Sequence, residues 1–167
     1  ADINFNKIKE ENKSSGVFKL SLLNLKKIFN FNYDKKKLNI YNFYFRSKNL
    51  SFNGKSTITY LPFFFSTSIF QIDDINTKLL KSININKILN FINFIKKLNI
   101  KNEIFFKSKN FSRNLIDDLN LNINLSYGRL TFSKKIFISE DFLSCNGDVN
   151  LLEEYPILHF NCSIVSY

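Results

Sequence analysis

Apolar and polar residues alternate along most of this chain. Phe18, Leu20 and Leu22 occupy every second position near its start. The longest unbroken alternation lies further on, at Leu119, Leu121, Ile123, Leu125 and Tyr127. Neighbouring side chains of a strand point to opposite faces, so this period places the apolar residues on one face of a sheet. The pattern predicts a mainly β protein with a curved antiparallel sheet.

One segment has a helical period instead. Between Asn84 and Leu98, apolar residues recur three or four positions apart, at Ile85, Ile88, Leu89, Ile92 and Ile95. Asn and Lys fill most of the intervening positions, which is the pattern of an amphipathic helix. Such a helix usually packs on a sheet, although a helix on a membrane surface has a similar pattern. We therefore predict a mainly β fold with one substantial helix, residues 84–98, in the α+β class.

A phrase occurs twice in the chain. Leu50–Pro62 has the letters LSFNGKSTITYLP, and Leu143–Pro156 has LSCNGDVNLLEEYP. The two copies hold both prolines and two of the four glycines, and they begin 93 positions apart. We interpret them as one strand unit used twice within a single β-rich domain, residues 1–167. The first strand unit is expected at 37–72 and the second at 126–167.

The repeated phrase also predicts where the strands end. Asn53-Gly54 is a strong hairpin signal, because both residue types accept a positive φ. Pro62 and Pro156 are expected where strand pairing stops, because proline cannot donate a hydrogen bond to a ladder.

Composition adds aromatic residues and positive charge, with 20 Phe, 7 Tyr and a net charge of +10. On a basic surface that binds nucleic acid, Lys contacts phosphate and exposed rings stack on bases. Only three of the basic residues are Arg, the residue type that binds phosphates and bases bidentately. The composition therefore argues against a nucleic-acid partner. A basic nucleic-acid- or ribosome-associated binding module is kept as the alternative function.

The sequence contains no pattern typical of catalysis or metal binding. His159 is the only histidine, and with two cysteines it makes too small a set for a zinc site. Adjacent carboxylates such as Asp73 and Asp74 would point to opposite faces of a strand, so they form no acid/base pair. We predict a protein that is not an enzyme and that uses no cofactor or metal.

Cys145 and Cys162 allow two interpretations. If the chain forms a hairpin that turns at Glu153-Glu154, residues whose numbers sum to 307 face each other, and the two cysteines form such a pair. A cross-strand disulfide would then suit an oxidising compartment. The alternative is two buried free thiols, which are common in β cores. A shift of one residue at Gly147 or Pro156 would break the pairing and favour the thiols.

The repeated unit resembles the AsmA-like proteins of Gram-negative envelopes. The segment that carries most of the resemblance is SYGRLTFSKKIFISEDFLSCNGDVNLLEEYPILHFNCSIVSY, Ser126–Tyr167, and Lys37–Ile72 resembles the family more loosely. The resemblance implies a periplasmic protein with a hydrophobic β-groove, involved in phospholipid transport to the outer membrane or in outer-membrane assembly and integrity. It also implies an inner-membrane anchor, which would lie in a segment not present here.

The lipid-binding residues that we predict for such a groove are Phe43, Phe45, Phe63, Phe65, Leu121, Ile123 and Leu125. Their partner would be phospholipid, or other envelope proteins, with contact to the membrane through the anchor outside this chain. The same residues would form an ordinary core if the predicted helix covered that face of the sheet. A plain structural or assembly subunit is a third interpretation.

Overall fold

The computed structural model describes residues 2–6, 13–22, 25–48, 50–75, 96–107, 118–138 and 141–166. The chain divides into two compact units, Ala1–Ser82 and Ile83–Tyr167, here called the N-terminal unit and the C-terminal unit.

The N-terminal unit is an antiparallel meander, in which each strand pairs with the next along the chain. Its strands are β1 (Asp2–Asn6), β2 (Ser14–Leu22), β3 (Leu25–Tyr33), β4 (Lys37–Arg46), β5 (Leu50–Thr59) and β6 (Phe65–Ile75). Short connections between consecutive strands allow each strand to pair with the next. Between β3 and β4 the Asp34 carboxylate accepts hydrogen bonds from the backbone N–H groups of Lys36 and Lys37, both at 2.7 Å.

The C-terminal unit is a second antiparallel meander. Its strands are β7 (Asn99–Lys107), β8 (Asp118–Ser126), β9 (Arg129–Ile138), β10 (Asp141–Asn150) and β11 (Leu158–Val165). Tyr127 and Gly128 form the two-residue turn between β8 and β9, with φ of 47° and 96°. Two positive φ values are typical of a type I′ turn, whose twist matches that of the strands it joins.

The predicted helix is wrong for the part of the chain that the structure describes. The described residues form strands, turns and loops, and no helix occurs among them, so the observed class is all-β rather than α+β. Of the segment 84–98, only 96–98 is described, and it forms a turn before β7. The carbonyl of Leu98 accepts a hydrogen bond from the N–H of Tyr127 at 2.9 Å, which ties this segment to the β8–β9 turn. Residues 84–95 lie outside the described residues.

The hairpin predicted at Asn53-Gly54 is also wrong. Both residues lie within β5, where Asn53 pairs with Gln71 and Gly54 with Phe70. The prolines do occur where pairing stops: Pro62 lies in the β5–β6 loop and Pro156 in the β10–β11 loop. In both copies of the repeated phrase the proline therefore lies in the loop between two strands, and Asn-Gly lies within a strand.

Strand register gives the N-terminal unit one apolar face. Side chains directly opposite each other in neighbouring strands share a face, and the pairings of β2 to β6 align the apolar residues. This apolar face carries Phe18, Leu20, Leu25, Phe29, Phe31, Leu38, Ile40, Phe43, Phe45, Phe52, Ile58, Phe70 and Ile72. The opposite face is mainly polar, with Asn, Ser, Thr, Lys and Tyr side chains, of which Asn39 and Thr57 hydrogen-bond at 3.1 Å. We call it the polar face, although it also carries Val17, Ile28, Phe65 and Ile69.

A β-bulge in β4 keeps that face continuous. The register shifts between Ile40 and Phe43, and Asn42 at the shift has a φ of 54°. Without an extra residue, Ile40 and Phe43 would point to opposite faces, because they are three positions apart. Asn is well suited to the bulge, because it tolerates a positive φ better than most residues with a side chain.

The C-terminal unit also has one apolar face, spread over its five strands. The face carries Ile100, Ile104, Phe106, Leu119, Leu121, Ile123, Leu125, Leu130, Phe132, Ile136, Leu143, Val149, Leu158, Phe160 and Ile164, together with both cysteines. Its polar face is rich in Asn, and the amide of Asn122 donates to the Ser133 hydroxyl at 3.4 Å.

Burial is shallow in both units. Among the described residues, the buried hydrophobic side chains are Leu125, Ile136, Cys145 and Val149, and no described side chain is less than 2% exposed. A sheet that packs on a second layer normally has several fully buried side chains. The described part of each unit is therefore a single layer with two chemically different faces.

Candidate functional site

The apolar face of the N-terminal unit is organised around a run of phenylalanine rings. Neighbouring ring centroids lie 4.8 to 6.2 Å apart, which is the range of favourable aromatic pairs. The run crosses from β2 to β6 and consists of Phe18, Phe29, Phe31, Phe43, Phe45, Phe52 and Phe70. We call it the phenylalanine ladder. Its rings are half-buried, and among the described residues each ring packs against its neighbours in the ladder.

The repeated phrase places a glycine between two phenylalanines in each unit. Gly54 in β5 pairs with Phe43 on one side and Phe70 on the other. Gly147 in β10 pairs in the same way with Phe132 and Phe160. A methyl group at Gly147 would lie 2.5 Å from the Phe132 ring, so the ring occupies the space that a side chain would need. The strand arrangement is thus repeat-like, and its shared feature is a glycine beneath a phenylalanine.

The apolar face of the C-terminal unit changes in exposure from its middle to its edge. Leu125, Ile136 and Val149 in its middle strands are 7 to 8% exposed. On β11, which lies at the edge of the unit, Leu158, Phe160 and Ile164 are 52, 68 and 73% exposed. Three large apolar side chains on one edge strand are an accessible surface for an apolar ligand.

A disulfide joins this edge strand to the rest of the unit. β10 and β11 pair in the register in which opposite residue numbers sum to 307, so Cys145 faces Cys162. The two residues form a disulfide, and their Cα atoms are 4.1 Å apart. The bond lies on the apolar face and fixes β11 to β10.

The lipid-binding residues predicted from the sequence fall at three kinds of place. Phe43 and Phe45 belong to the phenylalanine ladder. Leu121, Ile123 and Leu125 lie on the apolar face of the C-terminal unit. Phe65 pairs with Thr59 and points to the polar face of the N-terminal unit, and Phe63 lies in the β5–β6 loop, where it is 72% exposed. The last two are thus not part of either apolar face, and binding by any of the seven stays a prediction.

Several residues of these faces are not among the seven predicted from the sequence. Phe18, Phe29, Phe52 and Phe70 belong to the ladder, and Phe160 and Ile164 form the accessible edge. The signal that identifies them is strand pairing. In an antiparallel pair the numbers of facing residues have a constant sum, so the position of a turn predicts which residues share a face. The bulge at Asn42 breaks such counting in the N-terminal unit.

Charged side chains are rare on the apolar faces. Among the described residues, Lys27 is the one charged side chain on the N-terminal apolar face. The C-terminal apolar face has two, Lys134 in the middle of β9 and Asp141 at the end of β10. Both lysines are half-buried, and Asp141 is exposed. The ammonium of Lys27 lies 5.6 Å from the centroid of the Phe45 ring, close enough for a cation–π contact.

The polar faces carry surface ion pairs and a shallow hollow. Arg129 pairs with Asp148 at 3.6 Å, and Lys101 with Glu103 at 3.8 Å. A hollow of about 510 Å³ on the polar side of the N-terminal unit is lined in part by Tyr41, Tyr44 and Lys55. At one end of the same unit, partial burial and the nearby Tyr33 raise the pKa of Tyr60 above its ordinary value.

Within the described ranges, no three His, Cys, Asp or Glu side chains are grouped closely enough to hold a metal ion. In the same ranges no helix is long and apolar enough to cross a membrane. The chain matches no protein-family model, no curated protein and no solved structure.

Proposed function

We propose that this chain belongs to a non-enzymatic, AsmA-like envelope protein whose apolar sheet faces hold the acyl chains of phospholipid. In this proposal it works in the periplasm, anchored to the inner membrane through a segment outside this chain. Its role is phospholipid transport to the outer membrane, or assembly and integrity of that membrane. The observation that supports the proposal is the phenylalanine ladder, a continuous apolar surface on a sheet with a polar opposite face.

The physical basis is burial of hydrocarbon. Each methylene that leaves water contributes roughly 0.8 kcal/mol, so a few methylenes in contact with the sheet contribute several kcal/mol. Flat rings and branched side chains suit a flexible acyl chain, because they present apolar area without requiring directed hydrogen bonds. The half-buried rings of the ladder and the exposed side chains of β11 both have such area left to cover.

The arrangement of lysines separates this proposal from the nucleic-acid alternative. Stacking on bases needs exposed rings surrounded by cations that contact phosphate. On the apolar faces the rings and aliphatic side chains lie next to one another, with one lysine per unit among the described residues. This arrangement favours a hydrocarbon ligand over a polyanion.

Two double variants on β11 test the proposal. F160N/I164N makes the exposed part of the apolar face polar, whereas H159N/S163N changes the opposite face of the same strand and is the matched control. All four side chains are exposed, so both variants are expected to fold. Each protein is incubated with vesicles of phosphatidylglycerol and phosphatidylethanolamine, separated from them, and analysed by native mass spectrometry for bound lipid.

We expect bound phospholipid on the wild type and on H159N/S163N, and several-fold less on F160N/I164N. Equal lipid on all three proteins would show that the apolar side chains of β11, in the C-terminal unit, do not form the binding surface. A wild type that binds no lipid but shifts a labelled single-stranded oligonucleotide at physiological salt would overturn the proposal in favour of the nucleic-acid alternative.

A further inference from the structure

Among the described residues, each apolar face contains one cation, and neither cation has a carboxylate beside it. Asp141 shares the C-terminal apolar face, but it pairs with Ile138 at the end of β10, four positions from Cys145, the residue that pairs with Lys134. Lys134 is in the middle of β9, opposite Leu121 on one side and Cys145 on the other. Phe132 and Ile136 flank it on the same face. Lys27 has a comparable setting in β3, between Leu20 and Phe45. Neither lysine forms an ion pair with any described residue.

An ammonium in such a place is available to pair with an anion that lies on the apolar face, because its neighbours on that face are apolar side chains and not carboxylates. A lysine side chain can extend past the edge of an apolar surface, but Lys134 is four or five residues from either end of β9. At about 3.3 Å per residue these ends are roughly 13 to 17 Å away, beyond the reach of the side chain. Its ammonium therefore stays above the apolar face.

We infer that Lys27 and Lys134 select anionic phospholipid, each by pairing its ammonium with the headgroup phosphate of a lipid whose acyl chains cover the surrounding apolar face. The inference rests on the proposed function and adds the ligand's charge to it. Zwitterionic phosphatidylethanolamine carries its own ammonium beside the phosphate, so it gains less from a lysine than phosphatidylglycerol does.

The sequence supplies matched controls for both positions. Lys26 and Lys135 are the chain neighbours of Lys27 and Lys134, and they lie exposed on the polar faces. The variant K27Q/K134Q removes both charges from the apolar faces and keeps side-chain length. The variant K26Q/K135Q removes the same number of charges from the polar faces, so the two variants have equal net charge.

The experiment is a competition between two lipids. Wild type, K27Q/K134Q and K26Q/K135Q are each incubated with vesicles of equimolar phosphatidylglycerol and phosphatidylethanolamine, and the lipids bound after separation are quantified by mass spectrometry. A second arm uses vesicles of phosphatidylethanolamine alone, and a third repeats the competition at high salt. Circular dichroism checks that all three proteins have the same strand content.

We expect the wild type and K26Q/K135Q to prefer phosphatidylglycerol by about tenfold, the size of one charge-assisted hydrogen bond. K27Q/K134Q should lose most of this preference and bind phosphatidylethanolamine alone as well as the wild type does. High salt should reduce the preference of the wild type. Equal binding of both lipids by the wild type would overturn the inference and leave the proposed function standing, whereas no bound lipid in any arm would overturn both. An equal loss of preference in both variants would assign it to net charge and overturn the role of the two lysines.

Discussion

At the scale of single residues, the two glycines of the repeated phrase differ in what surrounds them. Beneath Gly54, a methyl group would meet the carbonyl oxygen of Ile69 and lie 2.9 Å from Cδ1 of Phe70. At Gly147 the nearest atoms belong to the Phe132 ring, at 2.5 Å, with the His159 carbonyl oxygen at 2.9 Å. Moving a backbone carbonyl in a strand costs more free energy than rotating an aromatic side chain. Alanine is therefore excluded mainly by the chain at Gly54, and mainly by an aromatic side chain at Gly147.

Substitution by alanine should separate these two situations. We expect G54A and G147A each to lower the free energy of unfolding by about 1–3 kcal/mol, as overpacking does. Adding F132L should relieve much of the loss caused by G147A, whereas F70L should relieve little of the loss caused by G54A. Urea unfolding of the single and double variants gives the two coupling energies. Equal coupling in both pairs would contradict the distinction.

Tyr127 is a second residue whose backbone conformation affects the stability of the fold. It occupies the first position of the type I′ turn with a φ of 47°, although a side chain makes that conformation unfavourable. Asn is the preferred residue there, before the Gly128 that follows. We expect Y127N to raise the free energy of unfolding by about 0.5–1 kcal/mol, measured by urea unfolding. G128A, at a φ of 96° and against the Leu152 side chain, should lower it and serves as the opposite control.

At the scale of elements, β11 depends on its pairing with β10. All of its side chains are exposed, so packing contributes little to holding it in place. The disulfide between Cys145 and Cys162 closes a loop over a sequence separation of 17 residues. Closing a loop of this size stabilises the folded chain by about 3 kcal/mol in the chain-entropy account. The disulfide is thus the main covalent restraint on the strand that carries the accessible apolar edge.

Removing the disulfide should release β11 before the rest of the unit. We expect C145A/C162A to lose about 3 kcal/mol of stability and the amide protons of β11 to exchange much faster than in the wild type. Amides of β7 and β8, which are separated from β10 by at least one strand, should change less and are the internal control. Hydrogen exchange followed by mass spectrometry measures both. Unchanged exchange in β11 would show that strand pairing alone holds it.

Elements also show how far the sequence could predict this structure. Alternation located most strands, and counting outward from Glu153-Glu154 gave the register of β10 and β11, although the loop between these strands has seven residues, 151–157. The same counting fails in β4, where the bulge at Asn42 inserts one residue. Asn53-Gly54 resembled a turn because local preference ignores the facing strands; the contacts of Gly54 with β4 and β6 decide its place. Tertiary contacts of this kind are not visible in a local pattern.

Alternation also predicted part of the candidate site, the apolar faces. Phe43, Phe45 and the three β8 residues follow from alternation and lie on apolar faces. Phe63 and Phe65 do not, because the β5–β6 loop contains Phe63 and the register of β6 places Phe65 on the polar face. The two lysines of the apolar faces were missed, because a pair such as Lys134-Lys135 gives no sign of which member faces the apolar side until register is known.

At the scale of the whole molecule, the described residues bury little and expose apolar area under native conditions. No described side chain is less than 2% exposed, although 44% of the chain is hydrophobic. Globular proteins of this size usually hide most of such area in a closed core. A face of half-buried rings is therefore expected to bind small apolar probes while the protein is folded.

The dye 8-anilinonaphthalene-1-sulfonate tests this property. We expect the folded wild type to enhance its fluorescence, because apolar area is accessible and Lys27 and Lys134 attract the sulfonate. Phosphatidylglycerol should displace the dye, and F160N/I164N should bind less of it than H159N/S163N does. A molten state would also bind the dye, but it lacks a cooperative thermal transition, so calorimetry of the same samples separates the two cases. A cooperatively folded wild type that binds no dye would show that the apolar faces are covered in solution, and it would remove the surface on which lipid binding depends.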